Sequence, residues 1–125
     1  MSGQDSQARL AAGAVELLSA SRFLEELRGV ARYGRALPVG DPLAAAVRRI
    51  ENSPVLAQSR LLARILTALT YQQGEFRRAE VAALDSETHS MVITLMDAHA
   101  AGTLTREDWE RAVNAAKVAE LGAGG

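Results

Sequence analysis

The stretch "DAHAAGTLTRED", residues 97–108, carries Asp97 first, Gly102 sixth, Leu104 eighth and Asp108 twelfth. That is the outline of a calcium loop, in which oxygen ligands at positions one, three, five, seven and twelve surround a hard cation. The ligand count fails here. His99 stands at position three, Ala101 at five, and Asp108, a methylene shorter than the usual bidentate Glu, at twelve. Two carboxylates with a nitrogen between them do not satisfy such an ion.

The loop also has an internal partner 28 residues earlier: with Gly74 on Gly102, "GEFRRAEV" superposes on "GTLTREDW". Each copy has a Gly, an apolar residue two later (Phe76, Leu104), and an acid followed by an apolar residue. Position one of the earlier copy is Leu69, which cannot bind metal. What the copies share is a turn: a Gly cap ending one helix, an apolar plug, and an acid in the first turn of the next helix. The expectation is a structural corner and no metal.

The other candidate groups divide in the same way. His89 and His99 are the only histidines. Ten residues apart on one helix they are separated by about 15 Å and cannot share a metal within a chain. His99 sits in the last turn of its helix, where an imidazole interacts with free carbonyls and the negative helix end. The chain has no Cys, which excludes thiol nucleophiles, disulfides and cysteine-ligated zinc. Its Ser residues fall near helix starts, where capping accounts for them. Gly122, Gly124 and Gly125 are a tail without phosphate-loop spacing. No catalytic set and no cofactor are expected.

Arginine is the one abundant reactive type: 13 of the 14 basic residues are Arg, and only Lys117 is Lys. They cluster as Arg48-Arg49, Arg60 with Arg64, and Arg77-Arg78, with Arg28, Arg32 and Arg35 near the first connector. Gathered on one side, Arg48, Arg49, Arg60, Arg64, Arg77 and Arg78 would attract phosphate or nucleic acid. Against this, no aromatic is interleaved with them, and Glu51, Glu75 and Glu80 are close enough to neutralise several. Net charge is −1, unevenly spread: residues 1–78 hold 11 Arg against 7 acids (+4), and residues 79–125 hold 3 basic residues against 8 acids (−5). That asymmetry is available to the fold, to a second subunit or to a partner.

The elements that carry these groups read as helices throughout. With 125 residues, 48 % hydrophobic and 4 % aromatic, the chain fits one domain, residues 1–125, of closely approaching helices, with about 1–5 and 122–125 as loose tails. Residues 6–33 form one bent helix or two short ones; Ser19, Ala20 and Ser21 interrupt the pattern, and Ser21 is placed to cap the second. Gly34 stops it, and "RALPVG" (35–40) is an extended connector. Asp41-Pro42 and Ser53-Pro54 each open a helix with a cap and a first-turn Pro. From Pro54 to about Gln72, Val55, Leu61, Leu62, Ile65, Leu66 and Leu69 lie within about 140° of the helix circumference. Gln58 falls inside that stripe and needs a hydrogen-bond partner if buried.

"FRRAEVAALD" gives a short helix. Asp85 and Ser86 cap the next, about 87–101, which is apolar nearly all round. A last helix, about 106–120, buries Trp109, Val113 and Ala116, with Thr105 and Asp108 at capping-box spacing and Glu107 and Arg111 as an i,i+4 pair. "GTLTREDWERAVNAAK" is similar to short helical segments at the C-termini of many bacterial proteins; this resemblance implies a helix-turn-helix corner and no function.

The fold expected is all-α, a compact bundle of five or six helices with two Gly-capped helix–turn–helix corners in its C-terminal half. No apolar run reaches the roughly 20 residues of a membrane span. No secretory signal is expected at the N-terminus, and a cytoplasmic location follows by default. Leu56 and Ile93 lie at or beyond the edges of their apolar stripes and are candidate interface residues. The function expected is a non-enzymatic interaction or assembly module that pairs with itself or with another protein. A nucleic-acid-binding regulator is the alternative.

Overall fold

The computed structural model describes residues 16–30 and 40–124. Five α-helices build it: α1 (Ala20–Val30), α2 (Pro42–Asn52), α3 (Ala57–Tyr71), α4 (Ser86–Ala101) and α5 (Arg106–Gly124). A 3-10 helix, Arg78–Ala82, lies between α3 and α4. The all-α bundle is therefore the architecture. Gly34, residues 35–39 of the connector, Arg32, Arg35 and residues 1–5 lie outside the described residues.

α3 is the axis of the core. Leu62, Ile65 and Leu66 are wholly buried, and Leu61 and Leu69 nearly so, because α2, α4 and α5 pack around it and α1 lies alongside. Helix starts follow local chemistry. Asp41 accepts the Leu43 N–H at 2.9 Å with Pro42 in the first turn, and Asp85 accepts the Thr88 N–H at 2.8 Å. The capping box at α5 is reciprocal: Asp108 N–H donates to Thr105 Oγ1 at 3.0 Å and Thr105 N–H to Asp108 Oδ2 at 2.9 Å. Gln58 finds its partners across the core edge, donating to Ala83 O at 2.7 Å and accepting the Asp85 N–H at 2.9 Å.

Five local expectations are corrected. First, Leu17–Ser19 is not helical. It forms strand β1, antiparallel to β2 (Glu75–Arg77), with Leu18 opposite Phe76. The partner comes from far along the chain: pairing with Glu75–Arg77 satisfies the backbone of Leu17–Ser19, and on the same ribbon Phe76 stacks on Phe23, with ring centroids 3.9 Å apart. This ribbon takes the start of the segment expected as "FRRAEVAALD" helix, leaving only the 3-10 turns. Second, Ser19 rather than Ser21 caps α1, its Oγ accepting the Arg22 N–H at 3.2 Å.

Third, Ser53-Pro54 closes a turn, with Leu56 N–H donating to Ser53 O, and α3 begins only at Ala57. Val55 is thereby left outside the buried stripe, 59 % exposed. Fourth, Arg111 pairs with Asp108 at 3.3 Å and not with Glu107; the capping box has drawn Asp108 back over the first turn, within its reach. Fifth, Gly122 and Gly124 continue α5 rather than forming a tail.

The two corners are built as a pair but closed differently. Gly102 ends α4 in the left-handed region at φ 67°, as its repeat position predicts. At the earlier corner Gln72 takes that conformation (φ 58°), and Gly74, at φ 128°, makes the further turn into β2.

Candidate functional site

The corner at residues 97–108 engages two of its three acids, Asp97 and Asp108, in the fold. Asp97 accepts from Arg28 of α1 at 2.8 Å. Asp108 sits in the capping box, where the Thr105 N–H, the Thr105 hydroxyl and Arg111 hold its carboxyl below the usual range. The His99 and Trp109 rings meet in a T-shaped pair, centroids 5.2 Å apart, and His89 Nε2 contacts Leu27 O at 2.9 Å. Because a carbonyl can only accept, His89 carries its proton on Nε2 there. Among the described residues no group of three or more His, Asp or Glu could hold a metal ion.

The arginines are distributed over the fold, and four of the six are held by acids. Arg64 and Arg77 converge on Glu80, a buried carboxylate. Arg64 Nη1 donates to Glu80 Oε2 at 2.6 Å, its Nη2 reaches Glu75 O at 2.8 Å, and its guanidinium lies 4.7 Å from the Phe76 ring centroid. The Arg77 N–H donates to Glu80 Oε1 at 2.8 Å. Burial pushes the Glu80 carboxyl up, but the Arg64 hydrogen bond and the Arg77 N–H outweigh it and hold it below the usual carboxylate value.

Arg78 bridges Glu16 at 3.1 Å and Glu26 at 2.8 Å. Arg49 pairs with Asp85 at 3.4 Å and with Glu87, at the start of α4. Only Arg48 and Arg60, of the six, are exposed with no ion pair among the described residues. Of the acids expected to neutralise them, Glu80 does so; the Glu51 and Glu75 side chains form no ion pair among the described residues. The charge asymmetry of the sequence is spent inside the fold: Arg28–Asp97, Arg49–Asp85 and Arg64–Glu80 each join a basic first part to an acidic second.

Two apolar features remain. At one end of the bundle Leu56 is 54 % exposed, and α5 extends with Val118 at 68 % and Leu121 at 76 %. Ile93 is half-buried. Val118 and Leu121 were not singled out in the sequence, although both fall off the Trp109–Val113–Ala116 stripe; Val118 is about 200° from Ala116 around the helix. That offset was the available signal.

At the other end, where α3 and α4 terminate, a half-open groove of about 600 Å³ runs between those ends and α1. Leu24, Leu69 and Met96 form much of its floor, and Glu25, Gln72 and His99 line its polar edge. No sequence signal marks this groove, because it exists only where three helices from distant parts of the chain converge.

Ser21, Glu25 and His99 all line this groove, but among the described residues no hydrogen bond joins the Ser21 hydroxyl to either of the other two. No helix of the described residues is long and apolar enough to cross a membrane. No family model, curated protein or solved structure matches the chain.

Proposed function

We propose that this chain is a non-enzymatic helical interaction and assembly module whose partner is a second copy of itself, with another protein as the variant of the same reading. One observation supports it above the rest: Val118 and Leu121 on α5 and Leu56 in the turn before α3 are largely in water. The charged groups, by contrast, are mostly satisfied within the fold. Burying apolar surface yields about 25 cal/mol per Å², a driving force towards a partner that is set against a cost of about 4–15 kcal/mol in lost translational and rotational freedom. The reading requires no cofactor, and a cytoplasmic location belongs to it.

Light scattering after gel filtration over a wide concentration range is the test. Mass rising with concentration is expected; a strict monomer at the highest concentration refutes self-association. Arg48 and Arg60, exposed and without ion partners among the described residues, support the alternative, a nucleic-acid-binding regulator. Salt-sensitive retardation of DNA or RNA, weakened by Arg48→Ala with Arg60→Ala, is its signature. No retardation at low salt removes it.

A further inference from the structure

From the knob on α5 and the groove between α1, α3 and α4, we infer that copies of this chain join head to tail, the Lys117–Leu121 tip of one seated in the groove of the next. The inference rests on the self-association reading and replaces a two-fold pairing with a directional one. Three observations carry it.

The first is shape. The knob presents Val118 and Leu121 to solvent, and the groove offers about 600 Å³ over Leu24, Leu69 and Met96. That size is within the range of pockets that take compact apolar groups.

The second is charge. Lys117 stands beside Val118 on the knob, and Glu25 stands on the groove's edge. Neither has an ion partner among the described residues. The remaining charged group in the groove lining, Arg28, is already taken by Asp97. An apolar tip with one cation therefore meets an apolar floor with one unpaired carboxylate.

The third is placement. α5 begins at the groove end, its Trp109 against His99, which lines the groove. Leu121 lies twelve residues further along a straight helix, about 18 Å away. With that separation a chain's own tip does not reach its own groove, which leaves both features open to a second copy. Contacts between different patches leave one of each free at the ends of any assembly, and growth continues unless the rotation closes a ring.

The experiment uses two full-length variants at exposed positions. Ala100→Arg places a bulky cation in the groove and leaves the knob intact; Leu121→Asp disables the knob and leaves the groove intact. Circular dichroism and melting temperature check that both fold. Analytical ultracentrifugation of the parent chain is expected to show a concentration-dependent series of masses rather than a stop at two. Each variant alone should associate at least tenfold more weakly, and an equimolar mixture of the two should form a one-to-one complex that grows no further. A reversal pair gives an independent readout: Glu25→Lys and Lys117→Glu should each weaken association about fivefold, and the chain carrying both should recover.

The outcomes separate cleanly. If Leu121→Asp abolishes association while Ala100→Arg associates like the parent, the tips pair with each other and the head-to-tail arrangement is wrong, though self-association stands. If neither variant changes the parent's assembly, another face is used and the inference is equally overturned. A parent chain that never associates overturns both this inference and the function proposed above.

Discussion

Replacing Glu80 by Ala tests a buried carboxylate held by two arginines. The side chain is 9 % exposed and accepts from Arg64 at 2.6 Å and from the Arg77 N–H at 2.8 Å. Hydrogen bonds to a charged group are worth about 1.5–3 kcal/mol each. Arg64 is 45 % exposed, so when Glu80 is lost its guanidinium recovers part of that value from water. The Arg77 N–H recovers less. The net cost of Glu80→Ala is therefore about 2–3 kcal/mol. At about 2.1 cal/mol/K of unfolding entropy per residue, a chain of this length loses about 4 °C of Tm per kcal/mol, a drop of about 8–12 °C.

Arg64→Ala leaves Glu80 buried with only the Arg77 contacts. It should cost at least as much, and the double variant should cost clearly less than the sum. The pH dependence follows from the same site. Folding holds the Glu80 carboxyl below its ordinary value of 4.5. Protons consequently bind the unfolded chain more readily, the stabilisation is complete above that value, and it drains away as pH falls through the lowered one. Glu80→Gln should flatten that acid limb. Urea denaturation at pH 7 and along an acid series is the assay. A change below about 0.5 kcal/mol for Glu80→Ala at pH 7, in the range of ordinary surface substitutions, would refute the reasoning.

Other perturbations have equally definite outcomes. Phe76→Ala removes the partner of Phe23 from a fully packed site and should cost about 3–5 kcal/mol, read as the loss of the cooperative thermal transition or a large fall in Tm. Gln58→Leu keeps the volume but leaves the exposed Ala83 O and Asp85 N–H to water, and should cost about 0.5–1.5 kcal/mol by denaturant titration. Gly102→Ala meets no steric obstacle but must adopt φ 67°, which costs about 1 kcal/mol; a stabilised variant would mean that the left-handed cap is wrong. Millimolar calcium should leave the Tm unchanged, since Asp97 is held by Arg28 and Asp108 by the capping box; a saturable rise would overturn the assignment of that loop as a corner.

Helix positions were legible because their signals are local. Asp41-Pro42, the Thr105/Asp108 box and the α3 stripe each depend on residues within one or two turns, and the periodicity of Leu61, Leu62, Ile65 and Leu66 is enough to name the buried face. Even Gln58's need for partners could be stated in advance, although not their identity. The ribbon was not legible. "LLS" beside a helical run has no period of its own, and β1 is extended only because Phe76 comes to it from far along the chain. Pairing of the arginines was half visible: Glu80 was within sequence reach of Arg77, but Arg28–Asp97 and Arg49–Asp85 depend on which helix lies beside which. The groove belongs entirely to that second category.

The ribbon has a consequence for biosynthesis. Leu18 cannot meet Phe76, nor Phe23 its stacking partner, until the polypeptide has been made through both, a span of about 58 residues. Closing so long a loop is slow relative to forming any one helix, and it is compensated only when both aromatic rings are present. Until β2 is made, Phe23 and Leu27 of α1 lack part of the surface that buries them in the finished fold. Between the synthesis of α1 and the emergence of β2, a nascent chain therefore carries an aromatic face that the finished fold hides.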